Sequence, residues 1–100
     1  MPYIKPSQQQ RLKPLLEKIL IGEKGELAYC INVLQMKFCE QQFNEMSEGH
    51  KVGYATLSDA VAAANDANSE FYRRVIFPYE DHKIRENGDI FREFIRKANI

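Results

Sequence analysis

A chain of 100 residues with 44% hydrophobic and 28% charged side chains has the composition of one globular domain or protomer, not of a disordered segment. Its fourteen basic and fourteen acidic residues cancel, which argues against both a basic DNA-coating protein and an acidic DNA mimic. No apolar run nears the roughly 18 residues of a membrane span, and MPYIKPSQQQ lacks the apolar core of a signal peptide, so a cytoplasmic protein with no membrane partner is expected.

Residues 1–6, MPYIKP, are held extended by two prolines. A first helix is predicted from about Ser7 to Ile21, with Leu12, Leu15, Leu16, Ile19 and Leu20 as its apolar stripe. Pro14 either kinks that helix or marks its true first position, because it cannot donate a helical hydrogen bond. Gly22 and Gly25 then bracket a turn.

The second helix is expected over about Gly25 to Phe43. Leu27, Ile31, Leu34 and Phe38 share one side of it and are read as its core face. Tyr29, Val33, Met36 and Phe43 form a second apolar face roughly opposite. A helix apolar on two sides must be covered on two sides, which predicts a homodimer or small homo-oligomer with Tyr29, Val33, Met36 and Phe43 at the contact. Cys30 and Cys39 fall on opposite sides of this helix about 13 Å apart, beyond disulfide reach, and read as reduced packing residues.

Residues 44–53, NEMSEGHKVG, form a polar loop. A third helix follows, with Thr56 as candidate N-cap and Asp59 three residues on. Leu57, Val61, Ala64, Asn68, Phe71, Val75 and Tyr79 keep one face for more than five turns, and the alanines from Ala60 to Ala67 allow close helix approach. Asn68 breaks that face, either as a buried polar residue fixing register or at its wet margin. Pro78 should kink or restart the helix, and Gly88 should end it as a left-handed cap. Residues 89–100 are a tail or a short helix. The predicted architecture is all-α, a single domain over 1–100 with three main helices plus a short C-terminal helix, completed by dimerisation.

No constellation for catalysis stands out, and neither a metal nor another cofactor is expected. His82 and Glu86 share a helix face and could supply two ligands, but zinc needs three or four, so a solvated helix face is the stronger reading. Cys30 and Cys39 have no base within their own turns. The best ligand-binding candidates are Tyr72, Arg73, Arg74, Lys83 and Arg85, where guanidinium groups beside an aromatic ring suit a phosphate and base together. Against this stands the simpler reading that the arginines pair with Glu70, Glu80 or Asp81.

The chain resembles a family of small proteins found in bacteriophage and bacterial genomes, prophage regions included. The likeness rests on MPYI at 1–4, GELAYCINVL at 25–34, YATL at 54–57, EFYRRV at 70–75, PYED at 78–81, KI at 83–84 and ENGDI at 86–90. Many such relatives end soon after the ENGD motif, whereas this chain continues with REFIRKANI. The resemblance implies a phage or mobile-element setting and a host-cytoplasmic location, and supplies no activity. It marks Tyr79, Glu80, Asp81, Lys83, Glu86, Asn87, Gly88 and Asp89 as a signature, read as structural. Two functions follow as expectations. The first is a non-catalytic interaction protein that binds a host or phage protein. The alternative is an anion- or nucleotide-binding module, taking a nucleotide signal or RNA, with an anti-defence role.

Overall fold

A computed structural model of the chain describes residues 3–42 and 52–100. The fold is all-α, with no strand among the described residues. Phe43, His50 and residues 44–51 of the expected loop lie outside the described residues. The chain divides into two units, Met1–Ala67 and Asn68–Ile100.

In the first unit, α1 spans Pro6–Leu16. Pro6 takes the first helical position, where its missing N–H costs nothing, and the Gln8 side chain reaches back to accept from the Lys5 N–H at 2.9 Å. Pro14 stays inside the helix, which ends at Leu16 and not at Ile21 as its apolar stripe suggested. The proline has already removed one hydrogen bond, and Ile19 and Leu20 stay exposed, so nothing rewards a further turn.

α2 covers Lys24–Gln41. It begins where the Glu26 carboxylate accepts from the backbone N–H groups of both Gly22 and Glu23, each at 2.9 Å. That satisfies two amides at the chain's approach to the helix and places a negative charge at the positive end of its dipole. A side chain on Gly22 would put its Cβ 3.2 Å from that carboxylate, tight enough to disturb the cap.

α3 spans Tyr54–Phe71. The Leu57 N–H donates to the Gly53 carbonyl, so the helix starts ahead of Thr56. Thr56 is therefore a half-buried helical residue and not the cap. Asn68 is exposed, at the wet margin of its face.

α2 and α3 meet along a narrow strip. Gln35 Nε2 donates to the Ala60 carbonyl at 3.3 Å, while Asn32 Nδ2 donates to Gln35 Oε1 at 2.9 Å and orients that amide. Cys39 and Ala60, each 8% exposed, are the buried residues among those described. Cys39 groups with Leu57, and Ile31 with Ala64, so the two helices run antiparallel. The contact is made by small and polar residues, and this corrects the core face expected for α2. Leu27, Ile31, Leu34 and Phe38 lie to one side of the strip and remain 36–51% exposed.

In the second unit, Tyr72–Ile76 form one π-helical turn, followed by α4 over Phe77–Asn87. The Phe77 N–H bonds the Tyr72 carbonyl five residues back. Pro78 has no N–H to return to the turn before it, and its ring crowds the carbonyl four residues earlier. The wider turn relieves that clash without breaking the helix path. One such turn also brings the Tyr72 and Phe77 rings together, with centroids 5.9 Å apart and planes tilted by 53°.

α4 ends at Asn87, and the Gly88 N–H caps it on the Ile84 carbonyl at 2.8 Å. Gly88 has φ 94° and ψ 155°. Its φ is positive as expected, but its ψ is extended, a region open essentially only to glycine and different from the left-handed cap predicted. Asp89 Oδ1 then accepts from the Phe91 N–H at 2.9 Å and turns the chain into α5, Arg92–Ala98.

Candidate functional site

Because the α2–α3 contact uses small residues, the large apolar side chains flank it on both sides as two grooves. On one side, Met36, Cys39, Leu57, Ala60 and Val61 line a groove of about 450 Å³, with Glu40 at its polar edge. On the other, Ile31, Leu34 and Phe38 of α2 face Ala60, Ala63 and Ala64 of α3 across a groove of about 260 Å³. Gln35 and Ala60 belong to both walls. The hairpin thus offers apolar surface on two opposite sides of one thin contact.

The face expected to carry oligomerisation is divided differently. Met36 lines the larger groove, Val33 is half-buried, and Tyr29 is exposed beside Glu26 and Leu20 on a separate shallow surface. Phe43 lies outside the described residues.

The candidate anion-binding residues all lie in the second unit. Tyr72, Arg73 and Arg74 sit on the π turn. Arg73 Nε donates to Glu70 Oε1 at 2.9 Å, as the simpler reading expected, whereas Arg74 and Arg85 are exposed on the helix surface. Lys83 stands 5.7 Å from the centre of the Tyr79 ring and bonds Glu86 Oε2 at 3.1 Å. His82 Nε2 lies 3.0 Å from the other Glu86 oxygen. The signature carboxylate therefore holds two neighbours on its own helix. No group of three or more His, Cys, Asp or Glu gathers among the described residues.

The remaining signature residues shape the turn between α4 and α5. Glu80, Lys83, Ile84, Gly88 and Ile90 line a cleft of about 350 Å³ there, with Asn87 and Asp89 at its end. Asp81 is exposed on α4. Each of Glu86, Gly88 and Asp89 has a local structural role, as ion-pair hub, turn and cap. Sequence reading expected close helix approach at the α3 alanines, where Ala60 is buried, but not that Gln35 and Cys39 of α2 meet them, and it did not expect the π turn. The proline six residues after Tyr72 was a signal for the turn.

Residues 1–90 match the family described as a domain of unknown function (DUF6899). The chain belongs to that family. The match ends just before Phe91, so α5 lies beyond it. No curated protein and no solved structure matches the chain. No helix among the described residues is long and apolar enough to cross a membrane.

Proposed function

We propose that this family member is a non-catalytic helical interaction protein of phage or mobile-element type. In this reading it works in the host cytoplasm as a homo-oligomer and binds a host or phage protein. The observation that carries the reading is the uncovered apolar surface on both sides of the α2–α3 contact, from Ile31, Leu34 and Phe38 on one side to Met36, Leu57 and Val61 on the other. A folded chain that keeps such surface in water forgoes the main driving force of folding, so the surface is best explained by occupants. Light scattering at micromolar concentration should show a dimer or larger species. A folded monomer would remove the homo-oligomer. Capture from host cells with the native chain and with Met36→Glu should recover a protein that the variant loses; equal recovery from both would count against binding through that groove.

A second reading is favoured by one observation, the π turn that carries Tyr72, Arg73 and Arg74. Such turns recur at functional sites, and here one presents two guanidinium groups beside an aromatic ring. Salt-sensitive binding of a nucleotide or short RNA, weakened by Arg74→Ala with the helix content unchanged, would support an anion-binding module.

A further inference from the structure

Leu27, Ile31, Leu34 and Phe38 follow one another along α2 at intervals of four, three and four residues. That is the seam spacing of a two-stranded coiled coil, with Leu27 and Leu34 at one kind of seam position and Ile31 at the other. Ile31, Leu34 and Phe38 line the smaller groove, Leu27 continues their row toward the start of α2, none of the four is buried, and the floor of the groove is Ala60, Ala63 and Ala64. Small floor residues leave room for large side chains of another helix to seat between α2 and α3.

We infer that this groove is occupied by α2 of a second copy, running antiparallel about a two-fold axis, so that two α2–α3 hairpins close into a four-helix bundle. The inference rests on the homo-oligomer reading above and assigns its contact to Leu27, Ile31, Leu34 and Phe38, away from Tyr29 and Met36. The seam is self-complementary in that direction. With the axis between Ile31 and Leu34, Leu27 meets Phe38 of the second copy and Ile31 meets Leu34 of the second copy. Each contact is made twice, as a two-fold interface requires. Beside the seam, Lys37 falls next to Cys30 of the second copy on one flank, and Gln35 next to Ala28 of the second copy on the other. No two like charges are opposed.

Burial points to the same occupant. Leu27, Ile31, Leu34 and Phe38 keep 36–51% of their surface exposed although they form one continuous row of large apolar side chains. With two small residues buried among those described, the cover must accompany the chain whenever it is folded. A second copy is the one partner supplied in fixed proportion to the chain itself. An interface of standard size removes about 800 Å² from each partner, and an obligate one up to roughly 2,500 Å². The two-fold contact lies across Gln35 and Ala60 from Met36, Leu57 and Val61, so the groove they line stays open to a different protein.

The test combines light scattering over a dilution series with photo-crosslinking. The native chain is expected to be a dimer. Leu34→Glu should raise its dissociation constant at least ~100-fold, since two carboxylates would enter the seam, while Met36→Glu should leave it within a few-fold. Because unfolding of Leu34→Glu would also abolish the dimer, a photoreactive group is placed at exposed Lys37, with isotopically light and heavy chains mixed to identify links between copies. The expected mark falls on residues 27–31 of the second copy. A dimer that links Lys37 elsewhere, or that survives Leu34→Glu and is lost with Met36→Glu, overturns the assigned face and leaves the homo-oligomer reading standing. A folded native monomer overturns both.

Discussion

Ala60→Leu tests the claim that α2 and α3 meet through small residues. Ala60 is 8% exposed, its carbonyl accepts from Gln35, and Cys39 is buried across the same contact. A leucine there adds three carbon atoms where the neighbours are a helix backbone and an amide held by Asn32. Overpacking of this kind costs about 1–3 kcal/mol, which for a chain of this size lowers Tm by roughly 4–20 °C. Ala62→Leu is the control, because Ala62 is exposed on the opposite side of α3 and alanine and leucine have similar helix propensities. Its expected effect is within ~0.5 kcal/mol. Both variants are melted by circular dichroism at one protein concentration, since any self-association makes Tm concentration-dependent. Equal Tm values for the two variants would refute the contact, and with it the origin of both grooves.

Three further outcomes follow from the helix ends and the π turn. Gly88→Ala forces a non-glycine residue to φ 94° and ψ 155° and should destabilise the α4–α5 turn by about 1–3 kcal/mol; faster amide exchange in α5 with α2 unaffected is the readout, and unchanged exchange would refute it. Glu26→Ala removes the acceptor shared by the Gly22 and Glu23 N–H groups and should cost ~1 kcal/mol, measured as a lower urea midpoint. Pro78→Ala restores an N–H and relieves the ring clash, so residues 72–76 should revert to α-helical bonding with a gain of up to ~3 kcal/mol. Retention of the Phe77-to-Tyr72 hydrogen bond, detected by scalar coupling across it, would show that the proline is not its cause.

The periodicity of the chain made the helices legible, and Asn87-Gly88 marked the turn after α4. What the wheel could not tell was which strip of α2 meets α3. It weights large apolar residues, so Leu27, Ile31, Leu34 and Phe38 looked like core. Close helix approach instead favours the neighbouring strip of Gln35 and Cys39 against Ala60 and Ala64, and pushes the large residues to the flanks. The end of α1 was hidden for a related reason: an apolar stripe sustains a helix only where something covers it, and Ile19 and Leu20 have no such cover in the first unit. The π turn has no periodic signature. Pro78 announces a lost hydrogen bond, but whether the chain kinks, restarts or widens depends on the turn before it, where Tyr72 and Phe77 gain a ring contact from the widening.

Magnitudes decide which part of the molecule could support the proposed assembly. The signature helix is crossed by the ion pairs of His82 and Lys83 with Glu86, whose side chains are 45–58% exposed, whereas Arg73 pairs with a Glu70 carboxylate that is largely buried. Exposed pairs contribute about 0–1 kcal/mol each and weaken with salt. They can set the local path of α4 but cannot compensate for an uncovered core. Covering 800 Å² of the α2–α3 hairpin, even if only a little over half of it is apolar, yields a gross gain on the order of 10 kcal/mol. Counting both protomers doubles that to about 20 kcal/mol, above the roughly 4–15 kcal/mol of lost translational and rotational freedom, which would support the proposed dimer. The same weakness of the exposed pairs would let Lys83 exchange Glu86 for a more highly charged anion at little cost. The two proposed readings therefore do not compete for the same surface: the proposed assembly would use α2 and α3, and an anion the residues between Tyr72 and Arg85.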